Sequence, residues 1–175
     1  DGRYWMYWGE GTCFAATSTD LVRWTPLEFD TLEDRTLERV GDRWKVHRVR
    51  GGPALRPVLF PRAGRFDSRL VEPGPPAVLT DDGIVLIYNG ANHHARGDAS
   101  LPAHAYSPGQ ALFDVDDPAS CIARATEPFL RPDVSDHDGQ VGDVCFAQGL
   151  VRFRGEWRLY LGLADSRIGV ATAPS

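Results

Sequence analysis

The sequence predicts an all-β fold assembled from propeller-like blades, and three observations carry that prediction. One short frame recurs as Gly2-Arg-Tyr-Trp-Met-Tyr-Trp-Gly9, Gly83-Ile-Val-Leu-Ile-Tyr-Asn-Gly90 and Gly155-Glu-Trp-Arg-Leu-Tyr-Leu-Gly162. Each copy is aromatic or aliphatic, carries Tyr at the same offset, and is closed by Gly at both ends, which is the pattern of a strand between turns. The copies are far enough apart for several strands per unit, as in the blades of a β-propeller. No segment holds helical periodicity over three turns.

Taken in order, Phe14–Thr17 reads as a second strand after the first copy of the frame, and Ile168–Thr172 repeats that relation after the last. In Thr19–Trp24, Ser18, Thr19 or Asp20 is placed to cap a turn. Residues 28–52 alternate acids with bases and read as a solvated hairpin or loop. Arg56–Phe60 is a short strand. It leads to Asp67-Ser-Arg-Leu-Val-Glu-Pro-Gly-Pro-Pro, where Asp67, Arg69 and Glu72 precede a Pro-locked turn. A stiff backbone of this kind can hold a charged group toward a cleft. Residues 93–108 form a long, flexible-looking loop, and loops of that length are often functional. Strands follow at Gly109–Asp114, Cys121–Arg124 and Asp143–Phe153.

Composition narrows the function. The chain has 175 residues and a net charge of −5, which suits one domain over 1–175 and disfavours nucleic acid or an anionic membrane as partner. Three cysteines without paired spacing, Cys13, Cys121 and Cys145, read as small buried residues in a reducing, cytoplasmic setting. No apolar run is long enough to span a membrane. The chain opens at Asp1, already inside a strand pattern, so residues upstream of Asp1 are expected.

Four polar side chains stand where strands meet loops: Glu72, Asp143, Gln148 and Asp165. Equivalent strand ends of a propeller surround one funnel, so these four are expected to converge. Carboxylates and amides above aromatic strands suit a sugar, whose hydroxyls need acceptors and whose ring faces stack on aromatic rings. A pair of carboxylates flanking one bond is the usual apparatus of glycoside hydrolysis. His93, His94, His104 and Asp98 match no standard metal spacing and read as solvated loop residues, so no metal or other cofactor is expected. His137, between two aspartates, reads as a surface residue.

These residues resemble glycoside hydrolase family 130, the mannoside phosphorylases and β-mannosidases built on a five-bladed β-propeller. The likeness rests on Phe66-Asp-Ser-Arg-Leu-Val-Glu-Pro-Gly-Pro-Pro with Leu-Ile-Tyr-Asn-Gly90, on Gly109-Gln-Ala-Leu-Phe-Asp-Val-Asp-Asp-Pro118, on Gly139-Gln-Val-Gly-Asp-Val-Cys-Phe146, and on Leu159-Tyr-Leu-Gly-Leu-Ala-Asp-Ser-Arg-Ile-Gly-Val-Ala171. It implies that the chain covers about three blades of five and lacks the earlier ones. Open strand edges would then be covered by missing blades, by a partner or by a second copy.

The resemblance further implies that Asp165 binds mannose hydroxyls. Asp67, Arg69, Asn89, Asp143 and Gln148 complete the expected substrate-binding set. Where the phosphorylases carry Tyr-His-Gly, with the His holding phosphate, this chain has Asn89. That difference favours hydrolysis of a β-mannoside with Glu72 as the catalytic acid or base. Phosphorolysis with inorganic phosphate and non-catalytic glycan binding are the alternatives. The family's Tyr-Glu is Ser135-Asp136 here, its Asn is Asp143, and Gln148 stands where the hydrolytic branch has Glu, although Gln cannot exchange a proton.

Overall fold

The computed structural model describes residues 2–29, 38–40, 43–45 and 55–175. Fourteen strands run as β1 (Tyr4–Trp8), β2 (Cys13–Ser18), β3 (Thr25–Pro26), β4 (Glu38–Val40), β5 (Arg43–Lys45), β6 (Pro57–Leu59), β7 (Leu70–Pro73), β8 (Val78–Thr80), β9 (Gly83–Ala91), β10 (Tyr106–Phe113), β11 (Cys121–Arg124), β12 (Cys145–Phe153), β13 (Glu156–Leu163) and β14 (Arg167–Pro174). One 3-10 turn, Val134–Asp136, is the only helical element among the described residues.

Among the described residues, every ladder between these strands is antiparallel, and a single parallel bridge joins Tyr106 to Val144. The first sheet has the order β1-β2-β3, with β6 on the same edge of β2 as β3. The second has the order β11-β10-β9-β7, and β8 continues the β7 edge beyond the Gly74-Pro75-Pro76 interruption. The third is β12-β13-β14. Between residues 28 and 52, β4 and β5 pair as a hairpin; the remainder of that charged segment lies largely outside the described residues.

The repeated frame maps onto β1, β9 and β13, one per sheet. Its opening glycines, Gly2, Gly83 and Gly155, have φ of 66°, 137° and 81°. That left-handed backbone is open to Gly at little cost, so the frame begins where the chain must turn. Ser18 and Asp20 cap the turn after β2: Ser18 Oγ accepts from Leu21 N at 2.9 Å, and Asp20 Oδ1 accepts from Arg23 N at 2.8 Å.

Two apolar clusters join the sheets. Cys13, Ala15, Val58, Leu59, Phe66, Val71, Leu86, Tyr88, Ala111 and Phe113 fill the space between the first and second sheets. Ile87, Cys145, Ala147, Leu159 and Leu161 do the same between the second and third. Strand β9 serves both: Leu86 and Tyr88 face one cluster and Ile87 the other, as the two-residue period of a strand requires. The Tyr7 hydroxyl donates to Pro118 O at 2.7 Å and ties β1 to the second sheet's outer loop.

Three expectations are corrected. Cys121 is exposed, whereas Cys13 and Cys145 are buried, with thiols pushed up to about 12 and about 11, chiefly by burial. Strand β10 begins at Tyr106 rather than Gly109, because Tyr106 and Ser107 already pair with Ala91 and Gly90. The loop before it is pinned from within: the buried Asn92 side chain donates to three of its carbonyls and accepts from Asp98 N.

Candidate functional site

Glu72 lies on β7 opposite Asn89 of β9. Gly74 follows at a tight crossing. A Cβ there would sit 3.0 Å from both Ala147 O and Ile87 O, so the passage between β9 and β12 leaves little room for a side chain. The glutamate is half-buried. Desolvation, then the negative charge of Glu10, raises its carboxyl above the ordinary value.

Glu10 occupies the β1–β2 turn between Gly9 and Gly11, whose φ values are 116° and 83°. Val71 N donates to Gly11 O at 3.3 Å, which docks this turn against β7. Sequence reasoning passed over Glu10. Its only signal was its place at the end of the repeated frame, between two glycines.

Tyr106 opens β10 and is the second group missed. Desolvation, then Glu72, raises its phenol; Arg69 opposes the shift, and Glu10 and Asp165 reinforce it. The Tyr106 ring lies 5.8 Å from that of Phe146 on β12. Asp165 projects from the β13–β14 turn, where Ala164 and Asp165 both have φ of 49°. Glu10, Glu72 and Asp165 belong to three different sheets or their turns, and the charge of each raises the Tyr106 phenol.

The remaining expected residues divide. Arg69 is exposed, and its Nη1 donates to His104 Nδ1 at 3.1 Å. Gln148 is exposed at a bulge in β12, between Ala147 and Gly149. Asp143 has φ of 60°; its carbonyl accepts from Tyr106 N at 2.9 Å and its Oδ1 meets His137 Nδ1. His137 is exposed, as expected of a surface residue, and lies against that carboxylate.

Asp67 and Asn89 do not face the cleft. Asp67 is fully buried. Arg62 Nη2 reaches its Oδ2 at 2.8 Å, Arg124 Nη2 at 2.6 Å, and the Tyr88 hydroxyl donates to the same oxygen at 2.7 Å. Arg62 Nε donates to Oδ1 at 3.2 Å. Two guanidiniums and a phenol consume the carboxylate, which fastens residues 60–67 to the second sheet. Asn89 is equally buried. Its Nδ2 donates to Ala147 O at 3.0 Å and its Oδ1 accepts from Ala147 N at 2.7 Å. The amide completes a two-bond ladder between the second and third sheets, a task that an amide matches because it carries one donor and one acceptor side.

Among the described residues, no group of three or more His, Cys, Asp and Glu could hold a metal ion. Among the described residues, no helix is long and apolar enough to cross a membrane.

The whole chain, residues 1–175, matches the family model described as β-1,4-mannooligosaccharide phosphorylase. The chain belongs to glycoside hydrolase family 130. A β-1,2-mannobiose phosphorylase from Thermoanaerobacter sp. (strain X514) is 32% identical over 114 residues, 65% of this chain and 35% of the relative. One from Listeria innocua is 34% identical over 170 residues, covering 90% and 44%. A solved structure reported with family members that are glycoside hydrolases targeting β-1,2 mannosidic linkages in Candida mannan is 44% identical, with a TM-score of 0.83, and covers all of this chain and 45% of that one. The chain spans less than half the length of these relatives. Its three sheets are about three blades of the family's five-bladed propeller.

Proposed function

We propose that the protein cleaves β-mannosides by a single displacement in which Glu72 protonates the departing glycosidic oxygen. The observation that carries this reading is the raised proton affinity of a half-buried Glu72 beside Glu10. A general acid must keep its proton near the working pH, and burial with a like charge is the usual way to achieve that. Tyr106 and Phe146 offer ring faces to the sugar, and Asp165 offers a hydroxyl acceptor.

The related phosphorylases support inorganic phosphate as the acceptor, in place of the water expected from Asn89. One proton passes from Glu72 to the leaving oxygen, the bond from C1 to that oxygen breaks, and a phosphate oxygen bonds to C1 from the opposite face. This inversion turns a β-mannoside into α-mannose 1-phosphate. Hydrolysis is the second reading, and Glu10 favours it, since a second carboxylate could deprotonate an attacking water. The 44% identical structure reported with hydrolases supports it too.

Incubating the purified protein with β-1,2-mannobiose, with and without phosphate, tests both. Mannose 1-phosphate formed only with phosphate is the expected result. Free mannose without phosphate supports hydrolysis instead, and no product in either case overturns the enzymatic reading. Glu10→Gln separates the two further: it abolishes hydrolysis if Glu10 is the base, whereas phosphorolysis persists.

A further inference from the structure

The segment that leads from the 3-10 turn into β12 carries a histidine that the cleft chemistry leaves unused. His137 Nδ1 lies against Asp143 Oδ1. That carboxylate oxygen is buried, and no other group among the described residues bonds it. A buried acceptor needs a donor. The imidazole therefore carries a proton on Nδ1, and its Nε2 is left to solvent at this exposed position. The backbone closes at the same place. Asp143 N donates to Asp136 O at 2.9 Å, and the carboxylate of the buried Asp136 accepts from Asp133 N at 2.8 Å. His137 and Asp143 thus stand at the neck of a closed loop.

This loop is fastened on two sides. On one side the Asp143 carbonyl accepts from Tyr106 N at 2.9 Å, and the next residue, Val144, bridges Tyr106 directly. On the other side the loop grips the β13–β14 turn, which carries Asp165. Val141 N donates to Ala164 O at 3.3 Å, and Gln140 N donates to Ser166 Oγ at 2.8 Å. Arg167 Nη2 donates back to Ser135 O, and to Asp136 Oδ1 at 3.1 Å. Gly139 passes so near Ala164 that a Cβ would collide with its carbonyl. The turn needs such support. Ala164 and Asp165 both have φ of 49°, and Asp143 has 60°. Left-handed backbone is costly for a residue with a Cβ and persists only where its surroundings fix it.

We propose that His137 is a positioning residue: by closing on Asp143 it locks this loop as a clamp that holds Asp165 and Tyr106 in place for the mannoside. The proposal rests on the reading above for the sugar, while the contacts that build the clamp stand by themselves. Its effect falls on sugar affinity rather than on proton transfer. The clamp seats the hydroxyl acceptor Asp165 and the Tyr106 ring, whereas Glu72 is set by β7 and the Gly74 crossing. A sugar-holding group displaced by about 1 Å is enough to weaken the complex.

Kinetics on β-1,2-mannobiose, calorimetric titration with the same sugar and amide hydrogen exchange test it together. His137→Ala removes the donor at an exposed position, so the fold is retained. His137→Asn keeps an N–H close to the place of Nδ1. His137→Ala is expected to raise KM about tenfold, the loss of one hydrogen bond to a charged group, with kcat within about twofold, the signature of lost ground-state binding. His137→Asn should restore most of that loss. The Tyr106, Gln140, Val141 and Asp143 amides should exchange faster in His137→Ala without any sugar present. In a Glu72→Gln background, where turnover is lost, His137→Ala should weaken mannobiose binding by the same factor. Binding weakened by His137→Ala in a protein without turnover would refute the catalytic reading and still support the clamp. Unchanged sugar affinity in His137→Ala, or a loss that His137→Asn fails to restore, overturns the proposal.

Discussion

At the scale of single residues, Glu72 and Asp67 are opposites made from the same chemistry. Both carboxylates come from one short stretch of sequence, yet one is left half-buried near a like charge and the other is buried between two arginines. Glu72→Gln is expected to reduce kcat by about 10²- to 10⁴-fold, the span of general acid catalysis, measured on β-1,2-mannobiose. Its effect on stability has the opposite sign. A carboxyl whose folded value is raised binds its proton more tightly folded than unfolded, so it contributes least stability above the raised value. Glu72→Gln should therefore melt at a higher temperature than the wild type near neutral pH, and the difference should shrink as pH falls through the raised value to the ordinary carboxylate range. An unchanged difference across that window would refute the shift. Asp67→Ala strands Arg62 and Arg124 without their anion, and breaking a buried pair of this kind costs about 3–5 kcal/mol, measurable by urea unfolding. The sequence could show that Asp67, Arg69 and Glu72 were special. It could not show that Asp67 faces inward, because its partner Arg124 arrives from β11, far along the chain.

At the scale of elements, the strands were legible and their interruptions were less so. The frame on β1, β9 and β13 declares itself through its glycines, since left-handed backbone selects Gly by local sterics. The start of β10 was missed because Pro108 and the polar Ser107 look like loop, yet pairing with β9 extends the strand to Tyr106. The bulge in β12 falls between Ala147 and Gly149, where a glycine inside a strand was the one available signal. Gly74 is the sharpest element-level test. A methyl group there presses on two backbone carbonyls that cannot swing aside, so Gly74→Ala should cost about 1–3 kcal/mol, the range for overpacking. It should also lower kcat/KM on β-1,2-mannobiose, because β7 carries Glu72. Loss of stability with unchanged kcat/KM would show that the crossing does not position the acid.

At the scale of the whole molecule, adjacent sheets meet through a cluster of apolar side chains and a few long-range polar bonds. The Asn89 ladder to Ala147 is the buried polar link between the second and third sheets. Asn89→Ala leaves a buried N–H and a buried C=O unpaired, costing about 1–3 kcal/mol for each group, and hydrogen exchange should accelerate in β12 and β13 more than in β1 and β2. Uniform acceleration would argue against a local link. The acids whose charges act on one another and on Tyr106 come from different sheets, with a consequence for how the molecule can be monitored. The proton affinity of Glu72 depends on how far Glu10 stands from it, and that distance is set by the seating of one blade against the next. The alkaline limb of the kcat/KM profile thus works as a ruler laid across the blade junction. Glu10→Gln should move that limb to lower pH by removing the like charge. Tyr7→Phe, remote from the cleft but cutting the bond to Pro118, should move it in the same direction if the first blade drifts outward, so that a titration curve records a displacement within the propeller.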